Sequence, residues 1–188
     1  MQGGAKDAGF KWRVAYWNTR QDSEIDRTPA GLLQNFKKTE RNGVDLEGST
    51  AVGGSTRIFA NYSQVIARVQ DPVTAGSDRI PNVPEYIASF GVSSVLNIAG
   101  RALNVSLSDS LVGPQSITSD NGLRTQTYHR YVARAAYKLP EWKGATVFLN
   151  LTGYSRQLEE VAFDFGGGLV GASPKPRLRA TLGMQINL

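Results

Sequence analysis

The chain ends on the stretch PRLRATLGMQINL, residues 176–188, and this stretch decides the fold. From Leu178 onward apolar and polar residues alternate without a break, and side chains on a β-strand point to opposite faces with period two. One face carries the apolar set, Leu178, Ala180, Leu182, Met184, Ile186 and Leu188. The other face carries Arg177, Arg179, Thr181, Gly183, Gln185 and Asn187. Such a strand suits a soluble sheet that buries its apolar face, or a barrel that turns this face to lipid.

The same alternation recurs about eight times along the chain, and helical spacing is almost absent. In the first of these segments Phe10, Trp12, Val14 and Tyr16 share one face. The later segments centre on residues 44–52, 58–62, 88–92, 103–107, 131–139, 147–151 and 178–188. Repeated short strands of this kind predict an all-β, antiparallel, up-and-down fold.

The connections between these segments alternate in length. Three are tight, at 53–55, 97–100 and 140–144, and the four long ones fall at about 19–35, 70–84, 109–122 and 164–175. Outer-membrane barrels have short periplasmic turns and longer extracellular loops. We therefore expect a transmembrane β-barrel of about eight strands, either part of a larger barrel or closed on itself, with both chain ends on the periplasmic side.

Aromatic residues near the ends of the segments agree with a membrane setting. Trp12, Tyr16 and Trp17 lie in the first segment, and Trp142 lies in a short turn. Amphipathic rings prefer the level of the lipid headgroups, so barrels carry aromatic girdles. Tyr86, Tyr131 and Tyr137 also lie near segment ends. The aromatic residues are expected either to form such girdles or to be ordinary core aromatics.

Composition excludes several other classes. The 188 residues contain 0 cysteines and no run of 18 apolar residues, so we expect neither a disulfide framework, a thiolate metal site nor a transmembrane helix. The net charge of +5 fits scattered basic residues on a polar face. Arg130, Arg134 and Lys138 share such a face, with Tyr131 and Tyr137 opposite, and this pattern does not indicate a nucleic-acid partner. The first residues lack the apolar core of a signal peptide, so for a barrel we expect the amino-terminal part to be missing or cleaved.

The motifs that usually carry catalysis are weak in this chain. The segment GGGLVG at 166–171 matches G-x-G-x-x-G by letter, but Pro174 and Pro176 follow where a phosphate-binding helix would have to begin. We interpret it as an extracellular loop. His129 is the only histidine, and we expect it to be interfacial or packed. No nucleophile elbow occurs. We therefore expect no enzyme activity, no cofactor and no metal site.

Four motifs occur in an order that resembles a known family. A G-x-K start at Gly4, Ala5 and Lys6 leads into the strand at 10–17. The segments QNFKKTERNGVDLE at 34–47 and RIPNVPEY at 79–86 are similar to a hairpin return and to an entry into the next strand. The end, Thr181-x-Gly183-x-x-Ile186-x-Leu188, is similar to the signal that the barrel-assembly machinery recognises, although the family often ends in Phe. Together they resemble the carboxyl-terminal part of TonB-dependent outer-membrane receptors, which are barrels of about 22 strands with a plugged lumen.

The resemblance implies a transport function. It makes residues 1–188 a carboxyl-terminal segment of the receptor barrel, without the plug domain, in a bacterial outer membrane. It implies uptake of a siderophore-like metal chelate or a similarly scarce nutrient. The implied partners are outer-membrane lipid, the barrel-assembly machinery, the chelate, and TonB only through the missing amino-terminal part.

The residues expected to contact ligand are those on the lumenal side. Arg130, Arg134, Arg177 and Arg179 would bind an anionic chelate through charge-assisted hydrogen bonds. Arginines that line a hydrated lumen, or that pair with carboxylates of the plug, are equally expected.

Two alternatives stay open at this point. One is a freestanding eight-stranded outer-membrane barrel with a structural or adhesive role, since eight strands are enough to close a small barrel. The other is a soluble β-barrel that binds a small apolar ligand and turns Leu178, Leu182 and Ile186 inward.

Overall fold

The computed structural model describes residues 2–4, 9–27, 33–35, 38–72, 78–117, 122, 124–139, 141–142, 144–156, 159–164, 170–174 and 176–186. All regular structure in these ranges is β-structure, in thirteen strands. No helix among them is long and apolar enough to cross a membrane.

Nine of the strands form one antiparallel sheet. Their bounds are β1 Gln2–Gly4, β2 Lys11–Gln21, β5 Thr39–Val52, β6 Thr56–Val69, β7 Tyr86–Ile98, β8 Arg101–Val112, β9 Tyr128–Leu139, β10 Ala145–Tyr154 and β13 Leu178–Gln185. Apart from two hairpins inserted in long connections, neighbours in sequence are neighbours in space, in the order β1-β2-β5-β6-β7-β8-β9-β10-β13. The predicted up-and-down arrangement of eight long antiparallel strands is confirmed.

The remaining strands form two small hairpins. β3 Ile25–Arg27 pairs with β4 Leu33–Asn35, and β11 Glu159–Asp164 pairs with β12 Val170–Pro174. The first hairpin lies inside the connection predicted at about 19–35, whereas the second begins at Glu159, ahead of the connection predicted at about 164–175. Alternation in the sequence did not indicate β1, whose three residues pair with the start of β2.

The main sheet is an open arc. Within the described residues the two end strands, β1 and β13, do not pair with each other. The described sheet therefore does not close on itself, so of the two predicted forms the self-closed barrel is not the one observed.

The rows of paired residues shift steadily from the short-turn end of the sheet at β2 toward the long-loop end at β13. One row runs through Trp12, Gly48, Ala60, Phe90, Asp109, Tyr131, Gly153 and Leu178. It begins near the short-turn end of β2 and finishes at the long-loop end of β13. Strands that tilt relative to a barrel axis produce this stagger.

The tightest turn joins β7 to β8. Ile98 pairs with Arg101, and the two residues between them, Ala99 and Gly100, have φ of 52° and 76°. A two-residue hairpin with positive φ at both positions matches the right-handed twist of the strands that it joins. Alanine rarely adopts such a φ, so the hairpin itself holds Ala99 in this conformation.

A small apolar core lies at the long-loop end of the sheet. Ala67 and Val69 of β6 pack against Ile80, which precedes β7. The amide of Val69 donates to the carbonyl of Asp78 at 2.8 Å, so the segment before β7 lies folded against β6. Large apolar residues elsewhere in the described sheet are mostly exposed rather than buried.

Candidate functional site: the lumenal wall

The strand register divides the side chains of the sheet into two faces. Paired residues of antiparallel strands point to the same side. On one side, which we call the outer face, Phe90, Leu107 and Leu182 are 62%, 58% and 74% exposed. The opposite side is polar and contains the two large recesses of the sheet, so it is concave and we call it the lumenal face.

This division contradicts the soluble-barrel alternative. That alternative turned Leu178, Leu182 and Ile186 into an apolar interior, but they lie on the outer face and are 67%, 74% and 49% exposed. The outer-face stretch at 88–98 is roughly 33 Å long at about 3.3 Å per residue. At a tilt of about 40° it crosses about 25 Å, which is the height of the apolar band of a transmembrane barrel.

The lumenal face presents the predicted arginines. Arg130 and Arg134 of β9 and Arg179 of β13 point to this face and are exposed. β10 separates the two strands, so their backbones lie about 10 Å apart. Arg177 lies just before β13, where its carbonyl accepts a hydrogen bond from the amide of Tyr154 at 2.9 Å. The structure therefore brings three of the four arginines to one patch of wall.

None of these arginines forms an ion pair with a carboxylate whose side chain the structure describes. The register places Arg134 between Ser106 and Asn150, and Arg130 between Ser110 and Tyr154. Their cross-strand neighbours are thus neutral. Their charge is available to a partner in the lumen.

Arg57 belongs to the same wall, although it was not among the predicted site residues. Its row runs through Ser93 and Ser106 to Arg134, so two hydroxyl side chains lie between the two arginines. Its guanidinium donates to Ser49 Oγ at 2.7 Å. Arg57 also lines both recesses, whose volumes are about 770 and 550 Å³. Its alternation with Ile58 was the signal that placed it on the polar face.

Serine side chains form the middle of the wall. Ser89, Ser93, Ser106, Ser108 and Ser110 lie on the lumenal face of β7 and β8, and Ser89 Oγ donates to Ser110 Oγ at 2.9 Å. Such small side chains keep the wall thin here. The result is a shallow hydroxyl-lined floor with Arg57 on one side and the β9 arginines on the other.

Ion pairs and hydrogen bonds cross between β2, β5 and β6. Arg13 pairs with Glu47 across β2 and β5. Ser63 Oγ donates to Asp45 Oδ1 at 2.6 Å. The first contact balances the charge of Glu47, and the second gives the Asp45 carboxylate a hydrogen-bond donor.

Aromatic rings cover glycines on the lumenal face. Three cross-strand pairs show this arrangement, namely Trp17 with Gly43, Phe59 with Gly91, and Phe148 with Gly183. A Cβ on any of these glycines would collide with the ring. The expectation that Trp17 belongs to an aromatic girdle is therefore wrong, because its ring lies on the lumenal side.

The loop after β2 is fixed to the lumenal side by Glu24. Its carboxylate accepts hydrogen bonds from Arg41 at 2.5 Å and from Thr39 Oγ1 at 2.6 Å. The hydrogen bond from Arg41 lowers the pKa of Glu24, burial opposes this effect, and the Thr39 hydroxyl adds to it. The loop base is thereby anchored above the lumenal wall.

His129 lies on the outer face, near the long-loop end of β9. Its Nδ1 lies 2.9 Å from an Asp109 oxygen, and its ring stacks on Tyr131 with centroids 5.8 Å apart. In the part of the chain with described side chains, no three His, Asp or Glu residues converge in a way that could hold a metal ion. Residues 165–169, which contain most of the glycine-rich motif, lie outside the described residues.

The predicted assembly signal falls on the last strand. Thr181 and Gly183 point to the lumenal face, paired with Asn150 and Phe148. Ile186 follows β13 on the outer side and is 49% exposed, whereas Leu188 lies outside the described residues. The ring of Phe148 over Gly183 gives a packing reason for glycine at this position.

Comparison with known proteins decides the family. Residues 3–152 match the family described as "TonB dependent receptor-like, beta-barrel". The chain belongs to this family. Its relatives include the pesticin receptor of Yersinia enterocolitica, 32% identical over 119 residues, or 61% of this chain and 18% of that receptor. The pesticin receptor of Yersinia pestis is 27% identical over 141 residues, or 73% of this chain and 21% of that receptor.

A solved structure supports the fold of this TonB-dependent receptor barrel. The chain is similar to BauA, the ferric preacinetobactin receptor of Acinetobacter baumannii, with a TM-score of 0.60 at 15% identity. The match covers 94% of this chain and 27% of BauA. The chain thus spans about a fifth to a quarter of the length of these relatives. The names of these relatives are those of receptors, and outer-membrane barrels of this family turn their apolar face to lipid.

Proposed function

We propose that this chain forms part of the wall of an outer-membrane receptor that takes up a siderophore-like metal chelate or a similarly scarce nutrient. The observation that carries the proposal is the lumenal wall, where Arg57, Arg130 and Arg134 surround a serine floor without carboxylate partners among the described side chains. Guanidinium groups in a confined, hydroxyl-lined recess suit an anionic ligand with several oxygen acceptors.

The name of the solved neighbour supports this class of ligand. The solved neighbour is a receptor for ferric preacinetobactin, and the Yersinia relatives are receptors for pesticin. Iron chelates offer carboxylate, phenolate or hydroxamate oxygens, which accept charge-assisted hydrogen bonds from arginine. The exposure of Arg130 and Arg134 supports the same interpretation.

The remaining parts of an uptake system follow from this proposal. Energised transport would require a plug domain and a TonB-contacting segment amino-terminal to this part of the barrel. Residues Thr181, Gly183, Ile186 and Leu188 would form the signal for the barrel-assembly machinery. The location would be the outer membrane of a Gram-negative bacterium.

The experiment is uptake of a radiolabelled ferric chelate by cells that depend on this protein. Replacing Arg130 and Arg134 together by Gln should raise the KM for an anionic chelate at least about tenfold, because the loss of even one charge-assisted hydrogen bond costs about 1.5–3 kcal/mol. The matched control is Lys138→Gln, which removes a charge from the same face of the same strand near the short turn. It should leave uptake unchanged.

Two other outcomes would reject the proposal. An unchanged KM in the double variant would show that these arginines do not contact the chelate. A normal KM with new permeability to large hydrophilic antibiotics would show that they hold a plug through its carboxylates.

A further inference from the structure

A row of charged side chains crosses the outer face of the sheet above the apolar band. Arg20 of β2 pairs with Glu40 of β5, and Glu40 pairs with Arg68 of β6. All three lie on the outer face, in phase with Tyr16 and Tyr62 lower on the same strands. This row therefore faces away from the lumen and from any ligand bound there.

The cations of the row are exposed, whereas its carboxylate is covered. The side chains of Arg20 and Arg68 are 76% and 54% exposed, and that of Glu40 is 19% exposed. Glu40 accepts hydrogen bonds from Asn18 at 2.7 Å and from Gln70 at 2.6 Å. A molecule that approaches from outside thus meets two guanidinium groups before it meets the carboxylate.

The contacts between these cations and nearby carboxylates are loose. Arg20 donates from Nε and from Nη2 to one oxygen of Glu40 at 3.3 Å each, both long hydrogen bonds, and Arg68 lies 3.7 Å from Asp78. Ion pairs between exposed side chains contribute little to stability, because water and salt screen them. Both guanidinium groups can therefore exchange these contacts for a better anion at little cost.

The backbone of the row lies just above the level of the lipid headgroups. Tyr16, four residues below Arg20, is 72% exposed, and Tyr62 stacks on Tyr86 with ring centroids 6.5 Å apart. Exposed tyrosines mark the edge of the apolar band. Four residues correspond to roughly 13 Å along a strand, or about 10 Å of height at a tilt of about 40°. A long, flexible arginine side chain covers much of the remaining distance to the headgroups.

We propose that Arg20 and Arg68 bind the phosphate groups of lipids in the outer leaflet. The hydrogen bonds from Asn18 and Gln70 hold the Glu40 carboxylate in place, and the two guanidinium groups, once they leave their carboxylates, provide bidentate donors for phosphate oxygens. Arg20 is the principal contact. Paired residues lie progressively closer to the long-loop end from β2 to β6, so Arg68 lies higher above the membrane than Arg20. The site concerns the outer face alone and does not depend on which ligand the lumen binds.

The test is lipid binding by the protein purified in detergent, followed by native mass spectrometry. The probes are lipid A with two phosphates, the same lipid without phosphates, and inorganic phosphate. One basic residue near a charged membrane surface contributes about 1 kcal/mol, which corresponds to about fivefold in affinity. Arg20→Gln should weaken binding of phosphorylated lipid A about fivefold, and Arg20→Gln with Arg68→Gln roughly 20-fold. Added salt should weaken wild-type binding.

Two control variants keep the test decisive. Glu40→Gln removes the only carboxylate within the three-residue row and should tighten binding about two- to fivefold, a direction that misfolding cannot produce. Arg130→Gln removes a cation from the lumenal face and should have no effect. The proposal is wrong if the double variant binds phosphorylated lipid A as the wild type does. It is also wrong if lipid A without phosphates binds equally well, or if inorganic phosphate competes at the same concentration.

Discussion

Leu107 and Ser108 are neighbours in β8, but they face different surroundings and are constrained in different ways. Leu107 lies on the outer face, is 58% exposed and pairs with Val92 and Ala133. Ser108 lies on the lumenal face, opposite Gly91, in a wall of hydroxyls, arginines and ring-covered glycines. Side chains on the outer face need only the apolar character that lipid requires, whereas those on the lumenal face must fit the size and charge of particular neighbouring side chains.

This difference teaches which substitutions each face tolerates. Lipid contacts an apolar side chain without regard to its shape, so the outer face needs hydrophobicity and little else. On the lumenal face, Arg13 needs Glu47, and Gly183 needs the ring of Phe148. A change of polarity should therefore be costly outside, and a change of size should be costly inside where a ring covers a glycine.

The largest effect is expected from placing a charge on each face at neighbouring positions. Leu107→Arg should destabilise the protein by about 2–4 kcal/mol, because it places a guanidinium in the middle of the lipid-facing band. Ser108→Arg should change stability by less than about 1 kcal/mol, because its side chain enters a hydrated lumen. Denaturant unfolding in lipid vesicles measures both.

Equal costs for these two variants would contradict the comparison. A larger cost for Ser108→Arg than for Leu107→Arg would reverse the assignment of the faces.

A smaller effect should separate a covered glycine from an open one. Gly183→Ala on the lumenal face places a Cβ in the ring of Phe148 and should cost about 1–3 kcal/mol. Gly48→Ala on the outer face meets nothing closer than 3.8 Å and should change stability by less than about 0.5 kcal/mol. Unfolding in detergent micelles measures both variants.

Adding Phe148→Leu to the Gly183→Ala variant replaces the ring by a smaller side chain, so the double variant should recover most of the stability that Gly183→Ala loses. If assembly in cells fails even in this double variant, Gly183 is read directly by the assembly machinery rather than needed only for packing.

The smallest effect concerns the loop that Glu24 anchors. Its pKa is lowered in the folded protein from the ordinary value of 4.5, so its contribution is present above that value and is lost as the pH falls through the lower folded value. The loss should be at most about 1 kcal/mol and local. The protection of residues 22–24 from hydrogen exchange, relative to the intrinsic exchange rate at each pH, should fall below about pH 4.5. Glu24→Gln should exchange fast at every pH, and a step that survives in this variant would contradict the assignment.

The sequence predicted the two faces well, for a physical reason. The alternation of Leu103, Asn104, Val105 and Ser106 reflects whether each side chain contacts lipid or water. It can be seen in a short stretch of sequence without knowledge of the neighbouring strands. The long-strand topology followed from the alternation of short and long connections. Both features are set by the membrane rather than by particular contacts.

The contacts within the lumenal wall were not predictable in the same way. The rings over Gly43, Gly91 and Gly183 depend on which strands pair and in which register, and a single strand does not encode its register alone. Likewise, Ile80 lies in a connection whose apolar and polar residues do not alternate. Nothing in the local sequence therefore indicated that it packs against Ala67.

The candidate site was predictable in part. Alternation placed Arg130, Arg134 and Arg179 on the polar face, and the structure agrees. Alternation offered no reason to select Arg57, since its relation to Arg134 passes through Ser93 and Ser106 on two intervening strands. A ligand site in a barrel wall is formed by residues that are neighbours across strands. Which residues belong to it can be predicted only when the strand register is known.

The division into a lipid face and a wet face is tested most directly by a spin-label scan of β8. The chain contains 0 cysteines, so a single cysteine at each position from 103 to 108 carries one nitroxide in the protein reconstituted in vesicles. We predict high accessibility to oxygen at Leu103, Val105 and Leu107, and high accessibility to a water-soluble nickel complex at Asn104, Ser106 and Ser108. The opposite phase, or no period of two, would contradict the account.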